Sequence, residues 1–166
     1  MATAAVSDVA ASGILSIDSL LSGRKWSNGA LTYSFPVSSS AYAVNYSSEQ
    51  EPLMDFAAVT ALQKAGIQQA LYLWSTVANL SFAEAEEPGA GGVLRFARSS
   101  APSTAWGYYP STTERGGDVW FGTTYGYTNP QWWDFANFDF ATMLHEIGHA
   151  LGLKHPGYYS AADEAP

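Results

Sequence analysis

All three histidines of the 166-residue chain fall in the run His145-Glu146-Ile147-Gly148-His149-Ala150-Leu151-Gly152-Leu153-Lys154-His155, which reads H-E-x-x-H-x-x-G-x-x-H. This run calls for a helix and also for the point at which that helix stops. Residues four apart stack on one helical face with Cβ atoms roughly 5–6 Å apart, so His145 and His149 can aim ring nitrogens at one point about 2.0–2.1 Å from each, the zinc–nitrogen distance. Gly152 can take positive φ without steric cost, which ends the helix and lets the chain turn so that His155 approaches the same point from another side. Glu146 stands beside the first ligand. There its carboxylate can take the proton of a water polarised by the metal as that water attacks a carbonyl, and hand it to the leaving amine.

Three histidines with an open fourth position are the pattern of a catalytic zinc ion, whereas structural zinc is closed by four protein ligands, mostly cysteines. The chain has no cysteine. Two plainer readings stand beside this one. A solvated helix face would have no need of Gly152 and His155, and a structural zinc anchor would leave Glu146 without a task.

Composition narrows the partners. The length suits one domain with a substantial core. Fifteen acidic residues against seven basic ones give a formal charge of −8, and the basic residues (Arg24, Lys25, Lys64, Arg95, Arg98, Arg115, Lys154) are scattered. Nucleic acid and anionic membrane are therefore excluded as expected partners, and no run approaches the roughly 18 apolar residues of a membrane span. Residues 1–16 are rich in Ala and Ser, with no Lys or Arg before Arg24. They do not read as a secretory signal and are expected to be a flexible leader or short pro-segment, with 17–166 as the folded unit. Six Trp, ten Tyr and eight Phe are expected in the core and cleft wall. An all-β glycan-binding module with exposed rings is the competing reading, opposed by strong helical periodicity.

Ile17 to Leu21 has helix-like spacing, and Leu31 to Phe35 alternates as a half-buried strand that stops at Pro36. Tyr42 to Pro52 reads as a polar loop. Val59, Leu62, Gly66, Ala70, Leu73, Trp74 and Val77 recur at three- and four-residue steps, which predicts a long amphipathic helix from Asp55 or Thr60 to Asn79. Further strands are predicted at Leu80–Ala85, Val93–Ala97, Thr104–Tyr109 and Asp118–Gly122, the last mostly apolar and so central. After a loop over Thr123–Trp133, a second helix capped by Asp134 or Asn137 runs to about Leu151. This order predicts an α+β fold.

The motif with its His155-Pro156-Gly157 continuation resembles the metzincin zinc endopeptidases, and within them the serralysin or alkaline-protease group. Leu20 to Trp26, Leu31 to Pro36, Ala70 to Leu80 and Gly116 to Phe121 are similar to that group's catalytic domain as well. The resemblance implies a twisted, mixed five-stranded sheet with a backing helix (57–79) and an active-site helix (137–151). It implies Zn2+ held by His145, His149 and His155, with Glu146 as catalytic base and acid, and an extended polypeptide as substrate. It also makes Thr104 to Tyr109 the sheet edge bordering the cleft, with Thr104, Ala105, Trp106, Gly107 and Tyr108 binding substrate by strand addition. Trp106 and Tyr108 are expected on one face, and Ala105 and Gly107 on the other, where small residues admit substrate side chains. An aromatic-rich strand with a purely structural role is the plainer reading of this segment.

Metzincins carry a Met-containing turn beyond the third histidine, and serralysins a Tyr there that is a switchable ligand. Here the methionines are Met1, Met54 and Met143, all upstream, and Tyr158 and Tyr159 crowd the third ligand. The resemblance thus implies the upper part of a larger protease with the lower subdomain absent, partnered by the missing C-terminal part. Calcium is implied only for downstream repeats, and secretion through a downstream export signal. A zinc-binding but inactive fragment acting by association is the alternative.

Overall fold

Residues 4–87, 91–124 and 138–156 are described in a computed structural model. The predicted alternating segments form the strands of one sheet: β3 (Ala30–Ser34), β5 (Ser81–Glu84), β6 (Leu94–Ser99), β7 (Ala105–Gly107) and β8 (Val119–Gly122), in the order β5-β3-β6-β8-β7. β3 pairs in parallel with β5 and β6, and β6 with β8, whereas β7 runs antiparallel to β8 at the end of the sheet. The fold is therefore α+β with a mixed, mainly parallel sheet. β8 is buried along its whole length and flanked on both sides, although β6 is the middle strand.

Several expectations need correction. The first long helix, α2, spans Ala61–Val77 and does not reach back to residue 57. Thr60 Oγ1 accepts from Gln63 N (3.1 Å) while Gln63 Oε1 accepts from Thr60 N (2.9 Å), a reciprocal cap that fixes the helix start. Ala57–Ala58 forms a two-residue strand, β4, antiparallel to β6 beyond the end of β3. Within the expected flexible leader, β1 (Val6–Asp8) pairs antiparallel with β2 (Arg24–Trp26). Ala4 and Val6 pack on the core, which gives this segment a reason to be ordered. The helix expected over 17–21 is the short α1, Leu15–Asp18. The predicted 123–133 loop is described only at Thr123 and Thr124, and Asp134, Asn137, Tyr158 and Tyr159 lie outside the described residues.

The alternation of the strands builds two cores. Leu31, Tyr33, Leu94, Phe96, Val119 and Phe121 project to the face covered by α2, through Ile67, Ala70 and Leu71, and by α3 (Phe138–Leu151), through Phe140, Met143, Ile147 and Ala150. On the opposite face, Ala97 and Trp120 are covered by Tyr42 and Tyr46 of the 36–56 segment, with Phe56, Trp106 and Tyr108 packed alongside. That segment, whose Tyr42 to Pro52 part was expected to be a polar loop, is thus a cover held down by aromatic rings.

Beneath it runs a buried ion pair. Arg95 grips Asp118 with Nε at 2.9 Å and Nη2 at 2.6 Å, donates from Nη1 to the Ala41 carbonyl at 3.0 Å, and stacks 4.3 Å above the Tyr42 ring. Tyr46 donates to the same carboxylate at 2.6 Å, and Trp120 Nε1 donates to the Tyr46 oxygen at 2.9 Å. Removing one partner of such a pair strands a buried charge. Arg95→Met is expected to cost about 3–5 kcal/mol in urea unfolding. A loss below about 1 kcal/mol would show that the pair does not hold the cover in place.

Candidate metal centre and active site

α3 presents two faces because its apolar residues recur at three- and four-residue steps. Phe140, Met143, Ile147 and Ala150 enter the core, which leaves His145 and His149 together on another face of the helix. α2 locks this orientation: Trp74 Nε1 donates to the Leu144 carbonyl at 3.2 Å, and its ring lies 3.2 Å from where a Cβ on Gly148 would be.

The helix ends where Gly152 takes φ +112°. Leu153 N donates to Gly148 O at 2.9 Å and Gly152 N to His149 O at 3.0 Å, the paired bonds of a glycine helix stop. The chain beyond is then caught by the N-terminal segment. Ser22 N donates to Gly152 O (2.9 Å), Lys154 N to Leu20 O (2.7 Å), and Leu21 bridges Leu153. Trp26 Nε1 adds a bond to the Ala150 carbonyl at 2.9 Å. This strap aims His155 back at the helix. Sequence reasoning saw the glycine but not the strap, since its bonds are made by backbone atoms of a distant segment.

The three imidazoles form a near-equilateral triangle, with ring centroids 4.5, 4.7 and 4.6 Å apart. Nε2 of His155 lies 3.2 Å from Nε2 of His149 and 2.6 Å from Nε2 of His145. A tetrahedral ion with bonds of about 2.0–2.1 Å has ligand nitrogens about 3.3 Å apart, so the cluster is of the right size for one metal ion. His149 Nδ1 is 2.7 Å from the Leu153 carbonyl. A carbonyl only accepts, so Nδ1 carries the proton and Nε2 keeps its lone pair for a metal. Burial, then the neighbouring imidazoles, push His145 below the usual histidine range, and burial does the same to His149. Both imidazoles are thereby biased toward the neutral form that a metal requires.

Glu146 is only 8% exposed. Burial pushes its carboxyl up to about 7, against a backbone hydrogen bond from Gly107 that favours the charged form. That bond ties the carboxyl to β7, the terminal strand of the sheet. Thr104 O accepts from Gly122 N and Tyr108 N donates to Asp118 O, so these residues face β8. By two-residue alternation, the backbone groups of Ala105 and Gly107 point to the outer edge.

The side chains of this segment divide between two faces as expected. Ala105 packs against the helix-covered core, and a Cβ on Gly107 would lie 2.3 Å from the Glu146 carbonyl oxygen and 3.3 Å from His149 Cβ. The small residues therefore allow strand and helix to approach closely. Trp106 and Tyr108 turn to the other face and join the aromatic cover. Trp26 and Trp120 are likewise buried, so these rings are core, not a glycan platform. At the end of the predicted edge segment, the Tyr109 ring stands edge-on to His149, with centroids 5.5 Å apart.

The Matrixin peptidase family model matches residues 25–162, which include the whole histidine cluster, Glu146 and β7. The chain belongs to the matrixin family. Within it, this matrixin chain is 36% identical to metallopeptidase AprA of Pseudomonas marginalis over 140 residues, 82% of the chain and 28% of that protein. It is 35% identical to serralysin G of Dickeya chrysanthemi over 147 residues, 84% of the chain and 29% of the relative. With the serralysin of Proteus mirabilis the identity is 32% over 120 residues, 63% and 24% of the two chains. The matrixin chain thus spans less than a third of the length of these curated relatives.

Gly152→Ala would strain a positive φ and set a Cβ 2.4 Å from the Arg24 carbonyl oxygen, inside the strap. Zinc affinity measured by chelator competition is expected to fall at least ~10-fold, as for loss of groups that orient metal ligands. Unchanged affinity would show that the strap does not aim His155.

Proposed function

We propose that the chain is the zinc-bearing part of a metalloendopeptidase that hydrolyses peptide bonds in extended polypeptides. The observation that carries this reading is the convergence at one strand edge of three metal-sized imidazoles and a buried carboxylate hydrogen-bonded to Gly107. His145, His149 and His155 would hold Zn2+ through Nε2. Bound zinc supplies Lewis acidity, polarising a carbonyl and making water acidic near pH 7.

The protein's own groups do the rest. The outward backbone groups of Ala105 and the outward carbonyl of Gly107 pair with an extended peptide and fix its direction along β7. Backbone pairing is indifferent to side chains, which favours broad sequence tolerance. Glu146 accepts the proton of the attacking water and returns it to the leaving amine. A carboxyl held near pH 7 can both take and release that proton. The serralysin likeness supports action outside the cell on protein substrates. Among the described residues no helix is long and apolar enough to cross a membrane.

Glu146→Ala is expected to retain stoichiometric zinc while casein cleavage falls by about 10²–10⁴-fold, the worth of a general base. Cleavage near wild type would remove Glu146 from the mechanism. A wild-type chain that binds zinc but cleaves nothing would favour the inactive, zinc-binding reading.

A further inference from the structure

We propose that Glu51 is a positioning residue that sets the substrate-pairing edge β7 against the metal cluster, an inference that rests on the peptidase reading above. Glu51 is 0% exposed, the most deeply buried carboxylate of the 36–56 cover. It sits where the chain turns sharply: Gln50 takes φ 54°, and Glu51–Leu53 forms a 3-10 turn with Pro52 buried beside it. Its Oε1 accepts from Trp106 Nε1 at 3.1 Å and from the Tyr108 hydroxyl, and its Oε2 accepts from the Ser47 hydroxyl. Ser47 in turn accepts from Gln50 N at 3.0 Å, closing the loop on itself.

The choice of residue is costly if stability alone is considered. A carboxylate taken out of water and met by neutral donors loses more than an apolar side chain of similar volume would. What such a network contributes is one fixed geometry. It holds Trp106 of β7 and Tyr108 just beyond its end, and between them lies Gly107, whose backbone meets Glu146 and His149. β7 is only three residues long and is paired on one side, so its own ladder is a weak constraint. Glu51 grips it from the face opposite α3. The edge is thereby clamped between Glu51 and the Glu146 turn of the helix, and a shift at Glu51 reaches the substrate-pairing backbone through a single residue.

The test compares Glu51→Gln, which keeps an acceptor at Oε1 and gives Ser47 a donor, with Glu51→Leu, which fills the space and strands both ring donors. Zinc-loaded proteins are measured for zinc stoichiometry, for kcat and KM on a peptide long enough to lie along β7, and for amide hydrogen exchange at Trp106 and Tyr108, whose N–H groups face β8. For Glu51→Leu the expected result is unchanged zinc, KM raised about tenfold with kcat changed less than about threefold, and faster exchange confined to β7. Glu51→Gln is expected to restore all three. Tyr108→Phe, which removes one hydroxyl, gives a smaller change of the same kind and carries the test should Glu51→Leu fail to fold. Wild-type KM and exchange in Glu51→Leu or in Tyr108→Phe would overturn the proposal, as would a Gln variant as impaired as Leu. If the wild type neither binds zinc nor cleaves, the peptidase reading has failed, and the exchange at β7 still decides whether Glu51 holds the edge.

Discussion

Everything at the site depends on how closely β7 approaches α3. With no side chain at Gly107, the strand comes down onto the carbonyl of Glu146, and a Cβ there would lie 2.3 Å from that oxygen. This one contact sets the distance between the edge that would take a peptide and the helix that carries the carboxylate and two imidazoles. Its consequence is electrostatic as well as steric. Closure of strand on helix buries Glu146, and burial raises its carboxyl toward the pH at which a proton can be both taken and returned.

The two faces of the sheet serve this contact differently. On one face, α2 and α3 supply an apolar core, and Trp74 ties the helices together next to the histidines. On the other, the 36–56 segment is fastened by rings and by two buried acids of contrasting kind. Asp118 is paired with a guanidinium and fixes β8 to β6, whereas Glu51 is met by neutral donors and fixes the edge. The third element is the N-terminal strap, whose backbone holds the turn after Gly152. Each of the three acts on a different part of the site: the helix face, the strand edge and the last imidazole.

Much of this was legible in the sequence where periodicity or chemistry is local. Five of the six strands of the main sheet and both long helices follow from alternation and three-to-four spacing, and the histidine triangle follows from i, i+4 geometry with a glycine stop. The start of α2 was left between Asp55 and Thr60 because the apolar rhythm continues through Ala57–Ala58, and the Thr60–Gln63 cap decides for Thr60. The pairing of Val6–Asp8 was invisible because its partner strand lies well downstream and its own residues are nondescript. The small residues of β7 were assigned to the substrate, and a sequence does not say whether a glycine makes room for a neighbouring helix as well. Glu51 gave no signal: in sequence it is one acid in a polar loop, and only the fold brings Trp106 and Tyr108 to it.

The central claim is that peptide, carboxylate and metal-sized cluster meet at the outer edge of β7. The most direct measurement is an experimental structure of zinc-loaded Glu146→Ala with an uncleaved peptide bound. The expected result is a peptide in extended conformation, hydrogen-bonded to the backbone of Ala105 and Gly107, with one carbonyl facing a zinc ion held by His145, His149 and His155. A peptide seated away from β7, or zinc held by other residues, would contradict the account.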